Sequence, residues 1–300
     1  MATPFLISLP LPPNANPTGL TLKQISYFGR VLIRVSSLSQ AEDFIRQNFR
    51  LLDVYVDVTE IPSSGDIVDI LNAGAAKVFV SPEQLIALSQ EQDVPSSRLA
   101  LYDLSNAPLN AYEKYVAQSK EKKDAGLVTG LDNVEPLVDK LGKDFASQNL
   151  YKVFSARDSS EETLKQAMKQ GATIIVPSET LTVERNVDGK ISASGLVAAQ
   201  GVADEHSGLY ATSVTDERGT CLGLVWSSDE SIAEALRTGT GVYQSRKRGL
   251  WYKGQSSGDV QELLRIGYDC DSDCLLFVVK QIGRGMATHF ASCNRLFLFG

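Results

Sequence analysis

Residues 69–85 read D-I-L-N-A-G-A-A-K-V-F-V-S-P-E-Q-L, and their order indicates the fold class of the N-terminal part. A helix-period segment stops at Gly74, where a positive φ costs little because glycine has no Cβ. A buried strand follows, and then a Pro/Ser start to the next helix. Residues 164–181 repeat this order around Gly171. The repeat favours βα units in a barrel-like or doubly wound layout, with coincidence between two ordinary αβ units as the alternative.

The same alternation extends over residues 20–200. Apolar, β-branched runs typical of strands occur at 31–35, 53–58, 76–80, 99–102, 151–154 and 173–176. Segments with helical periodicity lie between several of them, at 41–49, 65–73, 134–141 and 161–170. Strands that alternate with helices predict a mostly parallel sheet. Asp57 and Asp103 end two of these strands, but a strand-terminal Asp is more typical of a turn or cap than of catalysis.

The chain changes character near residue 208. We expect an αβ domain of unassigned role at 1–200 and a small β-rich α+β domain at 208–300, joined by a linker within 192–208. In the second domain, strands are predicted at 209–226 (two strands around a D-E-R-G turn), 241–245, 250–254 and 260–268. Residues 227–239 predict one short helix, in which Ser227 and Glu230 have the spacing of a capping box.

Bulk composition limits the class of protein. Three hundred residues suit two domains better than one. A net charge of −7 argues against nucleic acid as a partner. The apolar N-terminus is interrupted by prolines, lacks a basic start and is too short to span a membrane. We therefore expect a cytoplasmic protein without a membrane or nucleic-acid partner.

The segment D-C-D-S-D-C (269–274) concentrates carboxylates and thiols ahead of an apolar strand. If it is extended, Asp269, Asp271 and Asp273 project to one face, and the intervening Cys and Ser side chains project to the other. Like charges on one face repel, and a divalent cation removes the conflict. Hard oxygen ligands suit magnesium, whereas thiolate suits zinc. A solvated acidic loop is the alternative.

All four cysteines lie in the last 80 residues, at positions 221, 270, 274 and 293. In a chain without a secretion signal, such a cluster indicates metal binding or reactivity more than disulfides. For Cys270 we favour a metal ligand. For Cys221 and Cys274, metal ligation and a buried apolar thiol are both open.

A basic segment, S-R-K-R-G-L-W-Y-K-G-Q-S-S-G-D (245–259), stands out in an acidic chain. Its cations Arg246, Lys247, Arg248 and Lys253 accompany two aromatic residues, Trp251 and Tyr252. The loop Ser256, Ser257 and Gly258 offers hydroxyl and N–H donors to a phosphate. The segment therefore indicates a phosphorylated ligand with a flat base. The alternative is a basic surface hairpin whose aromatic residues belong to the core.

Taken in order, the motifs L-G-L-V-W, S-I-A-E-A-L-R-T-G, Y-Q-S-R-K-R-G-L-W-Y-K-G-Q-S-S-G and D-C-D-S-D-C-L-L resemble the phosphoribosyl-AMP cyclohydrolase family of histidine biosynthesis. The resemblance covers about residues 208–293. The αβ region followed by this domain is also similar to the N-terminal part of fungal trifunctional histidine-biosynthesis proteins. The resemblance implies hydrolytic opening of the adenine ring between N1 and C6, a nucleotide substrate, zinc and magnesium cofactors, and a homodimer.

It also implies roles for individual residues. The magnesium ligands would be Asp269, Asp271 and Asp273, and the zinc ligands would include Cys270 and Cys293. A zinc-bound water with a pKa near 7 would then attack C6. The ribose phosphates would be held by residues of the basic segment, namely Arg246, Arg248, Trp251, Lys253, Ser256, Ser257 and Gly258.

The C-terminal segment departs from the family pattern, in which a C-H dipeptide precedes a final S-C. Ser292–Cys293 matches the S-C, but an ungapped count puts Met286–Ala287 at the C-H position, and a gap puts Thr288–His289 there. Either alignment lacks one thiolate. His289 is the candidate catalytic residue, or it completes the zinc site in place of the missing Cys. The alternative function is a catalytically impaired nucleotide-binding or assembly module.

Overall fold

The computed structural model describes residue 3 and residues 5–11, 19–89, 94–118, 124–154 and 161–283. The chain divides into two units. The barrel unit contains Pro4–Gly19 and Arg30–Thr180, and the sheet unit contains Met1–Thr3, Leu20–Gly29 and the chain from Leu181 onward. The sequence predicted domains at 1–200 and 208–300, whereas the change of unit lies at Thr180/Leu181.

The strands are β1 (Phe5–Leu9), β2 (Arg30–Arg34), β3 (Asp53–Asp57), β4 (Lys77–Val80), β5 (Leu99–Tyr102), β6 (Gly126–Thr129), β7 (Leu150–Val153), β8 (Thr173–Pro177), β9 (Leu181–Thr182), β10 (Ile191–Ser192), β11 (Tyr210–Thr215), β12 (Cys221–Ser227), β13 (Val242–Ser245), β14 (Gly249–Tyr252), β15 (Gln261–Tyr268) and β16 (Cys274–Gln281). The helices are α1 (Leu22–Ser26), α2 (Leu38–Asn48), α3 (Ser64–Asn72), α4 (Pro82–Ser89), α5 (Pro108–Gln118), α6 (Glu135–Leu141), α7 (Lys143–Asn149), α8 (Glu161–Lys169), α9 (Ala193–Gln200) and α10 (Asp229–Thr238). None of the helices within the described ranges is long and apolar enough to cross a bilayer.

The barrel unit is a closed barrel in which β1 to β8 follow one another in chain order. All neighbouring strands are parallel, and β8 pairs back onto β1. The barrel-like layout is thus confirmed over the doubly wound one. Two of the eight barrel strands were missed by the sequence analysis. One is β1, which lies in the proline-interrupted N-terminus, and the other is β6, which has four residues and begins with a glycine.

Alternate side chains of the strands fill the barrel interior. The central layer is apolar and aromatic and consists of Leu6, Leu32, Phe79, Ala100, Val128, Tyr151 and Ile175, with Tyr55, Tyr102 and Val153 packed against it. Rings of Tyr55, Phe79 and Tyr151 meet with centroids 5.1–6.2 Å apart. Because this layer closes the interior, residues two positions further along β2 and β3, Arg34 and Asp57, lie above it at the carboxyl ends of the strands.

The sheet unit contains a six-stranded sheet in the order β14-β13-β12-β11-β16-β15. Neighbours are antiparallel except β11 and β16, which are parallel. The edge strand β15 also bonds to the segment before β13, through Leu263 N–H to Gly239 C=O (2.9 Å) and Gly241 N–H to Gln261 C=O (2.7 Å). The sheet therefore curls around a core. We call the side facing that core, which carries Val214, Tyr243 and Phe277, the inner face, and the opposite side the outer face.

Short segments before β11 complete the sheet unit. The N–H of Ile266 in β15 donates to the carbonyl of Tyr27, which caps α1 (2.8 Å). Tyr268 Oη donates to the carbonyl of Val197 in α9 (3.0 Å). The prediction of a linker at 192–208 was wrong for its first half, because small residues form the buried helix α9, capped by Ser192.

The predicted helix at 227–239 is confirmed, but its cap lies one residue later. Ser228 is the N-cap, and its hydroxyl accepts from Ser231 N–H while Ser231 Oγ accepts from Ser228 N–H. Ser227 is instead the last residue of β12, where its buried hydroxyl accepts from Thr212 Oγ1. Consecutive serines left the position of the cap ambiguous in the sequence.

Candidate active site

The acidic segment is a loop between β15 and β16, not an extended strand. Asp269 and Cys274 close it with two hydrogen bonds, Asp269 N–H to Cys274 C=O (3.1 Å) and Cys274 N–H to Asp269 Oδ1 (3.2 Å). Between them Ser272 has φ +64° and is buried. Its Oγ accepts from Gln200 Nε2 at 2.9 Å, and its carbonyl accepts from Val202 N–H at 2.8 Å. These bonds fix the turn from the inside.

The turn brings together the three predicted magnesium ligands. One carboxylate oxygen from each of Asp269, Asp271 and Asp273 lies within 4.8 Å of the others. A hydrogen bond with Asp269, followed by the negative charge of Asp271, raises the pKa of the Asp273 carboxyl. A divalent cation removes this repulsion, and oxygen-only donors match magnesium. The residues present therefore fit Mg²⁺.

The thiols are less concentrated than the sequence suggested. Cys270 is exposed at the tip of the loop, with Sγ 3.9 Å from Asp271 Oδ1. Burial raises the pKa of the Cys274 thiol, which favours the protonated form. Cys221 is exposed on β12. Among the described residues, no close group of three or more metal-ligating side chains includes a cysteine. Cys293 and His289 lie outside the described residues, so the predicted zinc set stays a prediction.

The basic segment forms β13, a turn and β14. Arg246, Lys247 and Arg248 occupy the exposed turn. The Arg246 guanidinium lies over the ring of Trp226, 5.5 Å from its centroid. Strand register places Trp226 on the outer face beside Gln244 of β13. The sequence analysis missed Trp226, although the alternation in L-G-L-V-W places it on the same face as the exposed Leu224.

Trp251 and Lys253 lie on the inner face instead. Trp251 pairs with Tyr243 across β13 and β14, and their ring centroids are 5.9 Å apart. The Lys253 ammonium lies 5.8 Å from the Trp251 centroid, and burial lowers its pKa. The predicted cluster of cations is therefore divided between the two faces of the sheet. The two aromatic residues are divided in the same way: Tyr252 pairs with Val242 on the opposite face of β14 from Trp251, and both aromatic side chains are half-buried.

The loop at Ser256–Gly258 is exposed and tightly turned. Gly254 has φ +84° and Gly258 has φ +77°, and Gly258 N–H donates to Gly254 C=O (2.8 Å). Asp259 N–H donates to Ser257 Oγ at 3.3 Å. Both hydroxyls point from a solvent-facing turn, so the loop is accessible to a ligand. Its role in phosphate binding remains a prediction.

The outer face connects the two parts of the site. Trp226 of β12 pairs with Ala211 of β11, and Ala211 pairs with Cys274, the residue after the acidic loop. Strand β13, which leads into the basic turn, lies three strand spacings from β16. At the usual spacing that distance is about 14 Å. A row of side chains thus runs from Arg246 and Trp226 toward the carboxylates.

Comparisons with known proteins identify relatives of this chain. Residues 223–295 match the family model of phosphoribosyl-AMP cyclohydrolase. The chain is 38% identical over 288 residues to the histidine biosynthesis trifunctional protein of Neurospora crassa, covering 94% of this chain and 32% of that protein. It is 36% identical to the histidine biosynthesis bifunctional protein of Schizosaccharomyces pombe, covering 92% of this chain and 66% of that protein.

The chain thus spans about a third of the trifunctional relatives and about two thirds of the bifunctional one. A shorter relative is matched more completely. The phosphoribosyl-AMP cyclohydrolase of Cereibacter sphaeroides is 38% identical over 102 residues, which make up 34% of this chain and 76% of that protein. The family-model match, at residues 223–295, includes the acidic loop. The chain belongs to the phosphoribosyl-AMP cyclohydrolase family.

Proposed function

We propose that the sheet unit hydrolyses the adenine ring of phosphoribosyl-AMP in a cytoplasmic pathway of histidine biosynthesis. One water molecule is added, and the bond between N1 and C6 opens. The observation that carries the proposal is the convergence of Asp269, Asp271 and Asp273 within a family-matched segment. Three carboxylates that converge in one turn meet the need of a divalent cation for several oxygen ligands.

The chain's own residues prepare the site for Mg²⁺. Two hydrogen bonds between Asp269 and Cys274, one of them to the Asp269 carboxylate, hold the loop, and the buried Ser272 fixes its turn. The cation, when bound, supplies positive charge for phosphate oxygens of the substrate. Asp269, Asp271 and Asp273 would hold it. A hydrogen bond with Asp269, followed by the negative charge of Asp271, raises the pKa of Asp273.

The proposed zinc ligands are Cys270 and Cys293, with His289 as the third ligand or as the proton-transferring residue. Zinc, when bound, lowers the pKa of a water molecule to about 7, which supplies hydroxide at neutral pH. Cys270 is exposed at the loop tip. Its thiol could therefore bind a zinc ion together with ligands from another segment of the chain. Asp269 and Asp271 flank Cys270 in the sequence, so the proposed magnesium and zinc sites would be adjacent.

Substrate binding is proposed on the outer face. The guanidinium of Arg246 offers several hydrogen-bond donors to a phosphate. Trp226 beside it offers an aromatic surface to a base. Arg248, Lys253, Ser256, Ser257 and Gly258 remain candidate phosphate-binding residues, and Trp251 a candidate for base packing. Arg246 and Trp226 lie together on the outer face, whereas Lys253 and Trp251 lie on the inner face. We therefore favour Arg246 and Trp226 for the first contact with the nucleotide.

We also propose that two copies of the chain form a homodimer through the part of the outer face that carries Leu224, Leu276 and Val278, beside the proposed substrate site. Leu224 is 68% exposed there, and Leu276 and Val278 of β16 are only half-buried. Exposed apolar side chains at neighbouring positions are typical of interfaces. We expect light scattering to give twice the chain mass for the wild type and to shift toward the monomer in Leu224→Glu. A monomeric wild type would contradict the homodimer.

The second candidate function is a catalytically impaired nucleotide-binding or assembly module. It is favoured by one observation, the Met286–Ala287 pair at the ungapped position of the family's C-H dipeptide. Loss of a thiolate weakens zinc binding because catalytic zinc commonly needs three protein ligands. Metal content therefore separates the two candidates.

The test uses the purified chain with zinc and magnesium, phosphoribosyl-AMP, and ultraviolet absorbance to follow ring opening. We expect turnover in the wild type, and in Asp271→Asn a rate lower by about a hundredfold, the upper range for perturbed metal sites. Asp188→Asn, an exposed carboxylate of the same unit, serves as the matched control and should keep the wild-type rate.

Zinc analysis on the same samples completes the test. Stoichiometric zinc that is lost in Cys270→Ser supports the enzyme. A folded, metal-supplemented chain that neither binds zinc nor turns over phosphoribosyl-AMP contradicts it and favours the impaired module.

A further inference from the structure

The barrel unit has a cavity of its own at the carboxyl ends of its strands. Its volume is about 500 Å³, within the range of small-molecule sites. Described residues at the ends of β1, β2, β3, β5, β7 and β8 line it, among them Leu9, Arg34, Asp57, Tyr102, Val153 and Pro177. This end of a parallel barrel is where ligands bind in enzymes with this architecture. No role in the proposed cyclohydrolase reaction has been assigned to these residues.

A network of hydrogen-bonded polar side chains lies in the wall of the cavity. Asp57 is 2% exposed, and its Oδ2 accepts from Arg34 Nε at 2.7 Å. Its other oxygen, Oδ1, accepts from the N–H and the hydroxyl of Thr59 at 3.1 and 2.7 Å. Tyr102 Oη accepts from Arg34 Nη2 at 3.2 Å. The buried carboxylate and the phenol therefore hold the guanidinium in one orientation.

The held guanidinium retains donors for a ligand. Asp57 and Tyr102 take one N–H from Nε and one from Nη2, and a guanidinium has five N–H groups. The side chain lines the cavity and is 56% exposed to solvent. A planar, fixed guanidinium edge is suited to donating two parallel hydrogen bonds to one oxyanion, such as a carboxylate or a phosphate.

The other lining residues limit what the oxyanion is attached to. Leu9, Leu32 and Ile175 provide apolar walls, which suit a carbon skeleton. Glu60 and Glu179 also line the cavity, so a ligand with negative charge at both ends is disfavoured. Carboxylates accept hydrogen bonds from hydroxyl or amino groups. The cavity thus has a cationic element for one end of a ligand and acceptors for the rest.

We propose that the barrel unit binds a small molecule with one oxyanion group, held by Arg34, and with hydroxyl or amino groups that face Glu60 and Glu179. The oxyanion is a carboxylate or a phosphate, because both offer the oxygen pair that a guanidinium edge recognises. The proposal concerns a second site, separate in sequence from the cyclohydrolase motifs, and it does not rest on the proposed function of the sheet unit.

The experiment is calorimetric titration of the full chain with three matched probes: ribose 5-phosphate, ribonate and neutral ribose. We expect at least one of the two anions to bind and ribose to bind more weakly. Preference for ribose 5-phosphate identifies the oxyanion as phosphate, and preference for ribonate identifies it as carboxylate. Absence of binding by both anions overturns the proposal.

Variants locate the binding. Arg34→Gln should weaken it at least about tenfold, the usual effect of losing a charge-assisted pair. Arg34→Lys keeps the charge but not the fork and should recover only part of the affinity. Tyr102→Phe removes one anchor of the guanidinium, keeps the ring and should weaken binding a few-fold. Arg50→Gln, an exposed arginine after α2, is the control and should bind as the wild type does.

The sheet unit is a competing location for a phosphate probe. Binding that survives Arg34→Gln but is lost in Arg246→Gln would place the probe on the outer face and overturn the proposal. The cyclohydrolase rate, measured on the same preparations, reports separately on the proposed function. If the chain lacks turnover but binds a probe through Arg34, the barrel site is supported and the proposed cyclohydrolase activity is not. If the chain turns over substrate but binds no probe through Arg34, the activity is supported and the barrel site is not.

Discussion

Lys77 is a charged side chain inside the barrel. Its ammonium donates to Asn149 Oδ1 at 2.9 Å and is only 8% exposed. Burial, followed by the nearby charge of Arg30, lowers its pKa from the ordinary 10.5 to about 8. Between these two pH values the unfolded chain carries a proton that the folded chain has lost. The free energy of unfolding therefore rises with pH across this window.

We expect this residue to add about 2 kcal/mol to the free energy of unfolding between about pH 7.5 and about pH 9.5. Lys77→Met should abolish that increment. Urea unfolding followed by circular dichroism at the two pH values measures it. Lys143→Met, which replaces an exposed lysine of the same unit, should keep the wild-type increment. A wild-type slope that Lys77→Met leaves unchanged would show that the ammonium is not desolvated.

Residue types alone predicted which three aspartates of the acidic loop lie together, but they did not predict the conformation of the loop. The three aspartates do converge, as expected for a cation site. They do so through a turn in which Ser272 has φ +64°, and not through the alternation of an extended strand. Serine seldom adopts such a φ, and the bonds that hold it there come from Gln200 and Val202, which are distant in sequence. Local sequence carries no sign of them.

At the scale of elements, the loop between β14 and β15 depends on two glycines with different surroundings. A Cβ on Gly254 (φ +84°) would lie 2.4 Å from the carbonyl carbon and oxygen of Asp259. A Cβ on Gly258 (φ +77°) would meet nothing within 4 Å. Gly258→Ala should therefore cost only the strain of a left-handed backbone, about 1 kcal/mol. Gly254→Ala adds an overlap with backbone, and we expect about 3 kcal/mol in total.

Tryptophan fluorescence during urea unfolding suits this comparison. Both tryptophans, Trp226 and Trp251, belong to the sheet unit that contains the loop. Equal losses of stability in the two variants would mean that the backbone at Asp259 moves aside easily, and that the loop is not held as tightly as its hydrogen bonds indicate.

Elements were predictable where periodicity was long and bounded by turn residues. Most barrel strands and α10 belong to this group. Prediction failed where burial rather than pattern determines the structure. The segment A-S-G-L-V-A-A-Q of α9 has small residues on all sides and no amphipathic stripe, so it resembles a linker in sequence. Its first five residues, 193–197, are buried nonetheless. Side-chain contacts with distant segments, not local preference, make it a helix.

At the scale of the whole molecule, the sheet unit is assembled from separate parts of the chain. Leu20–Gly29 belongs to it although β2 begins at Arg30 and is part of the barrel. Tyr27 supplies the carbonyl for Ile266 N–H, and Lys23 lies 3.5 Å from Glu262. A domain limit drawn at residue 208, where the motifs of the cyclohydrolase family begin, leaves these residues out. Sequence similarity locates the motifs, whereas hydrogen bonding determines which residues the fold requires.

Two fragments, 208–300 and 181–300, measure how much the segments before residue 208 contribute to the stability of the sheet unit. The shorter one lacks Val197, the acceptor of the buried Tyr268 hydroxyl, and Gln200 and Val202, which hold Ser272. Each buried group left without its partner costs about 1–3 kcal/mol, a large part of the 5–15 kcal/mol typical of a domain. We expect the urea midpoint, followed by tryptophan fluorescence, to fall from the full chain to 181–300 and again to 208–300. Fragment 181–300 still lacks Tyr27, so it should not reach the midpoint of the full chain. Identical midpoints for all three would mean that the segments before residue 208 contribute nothing to the stability of the sheet unit.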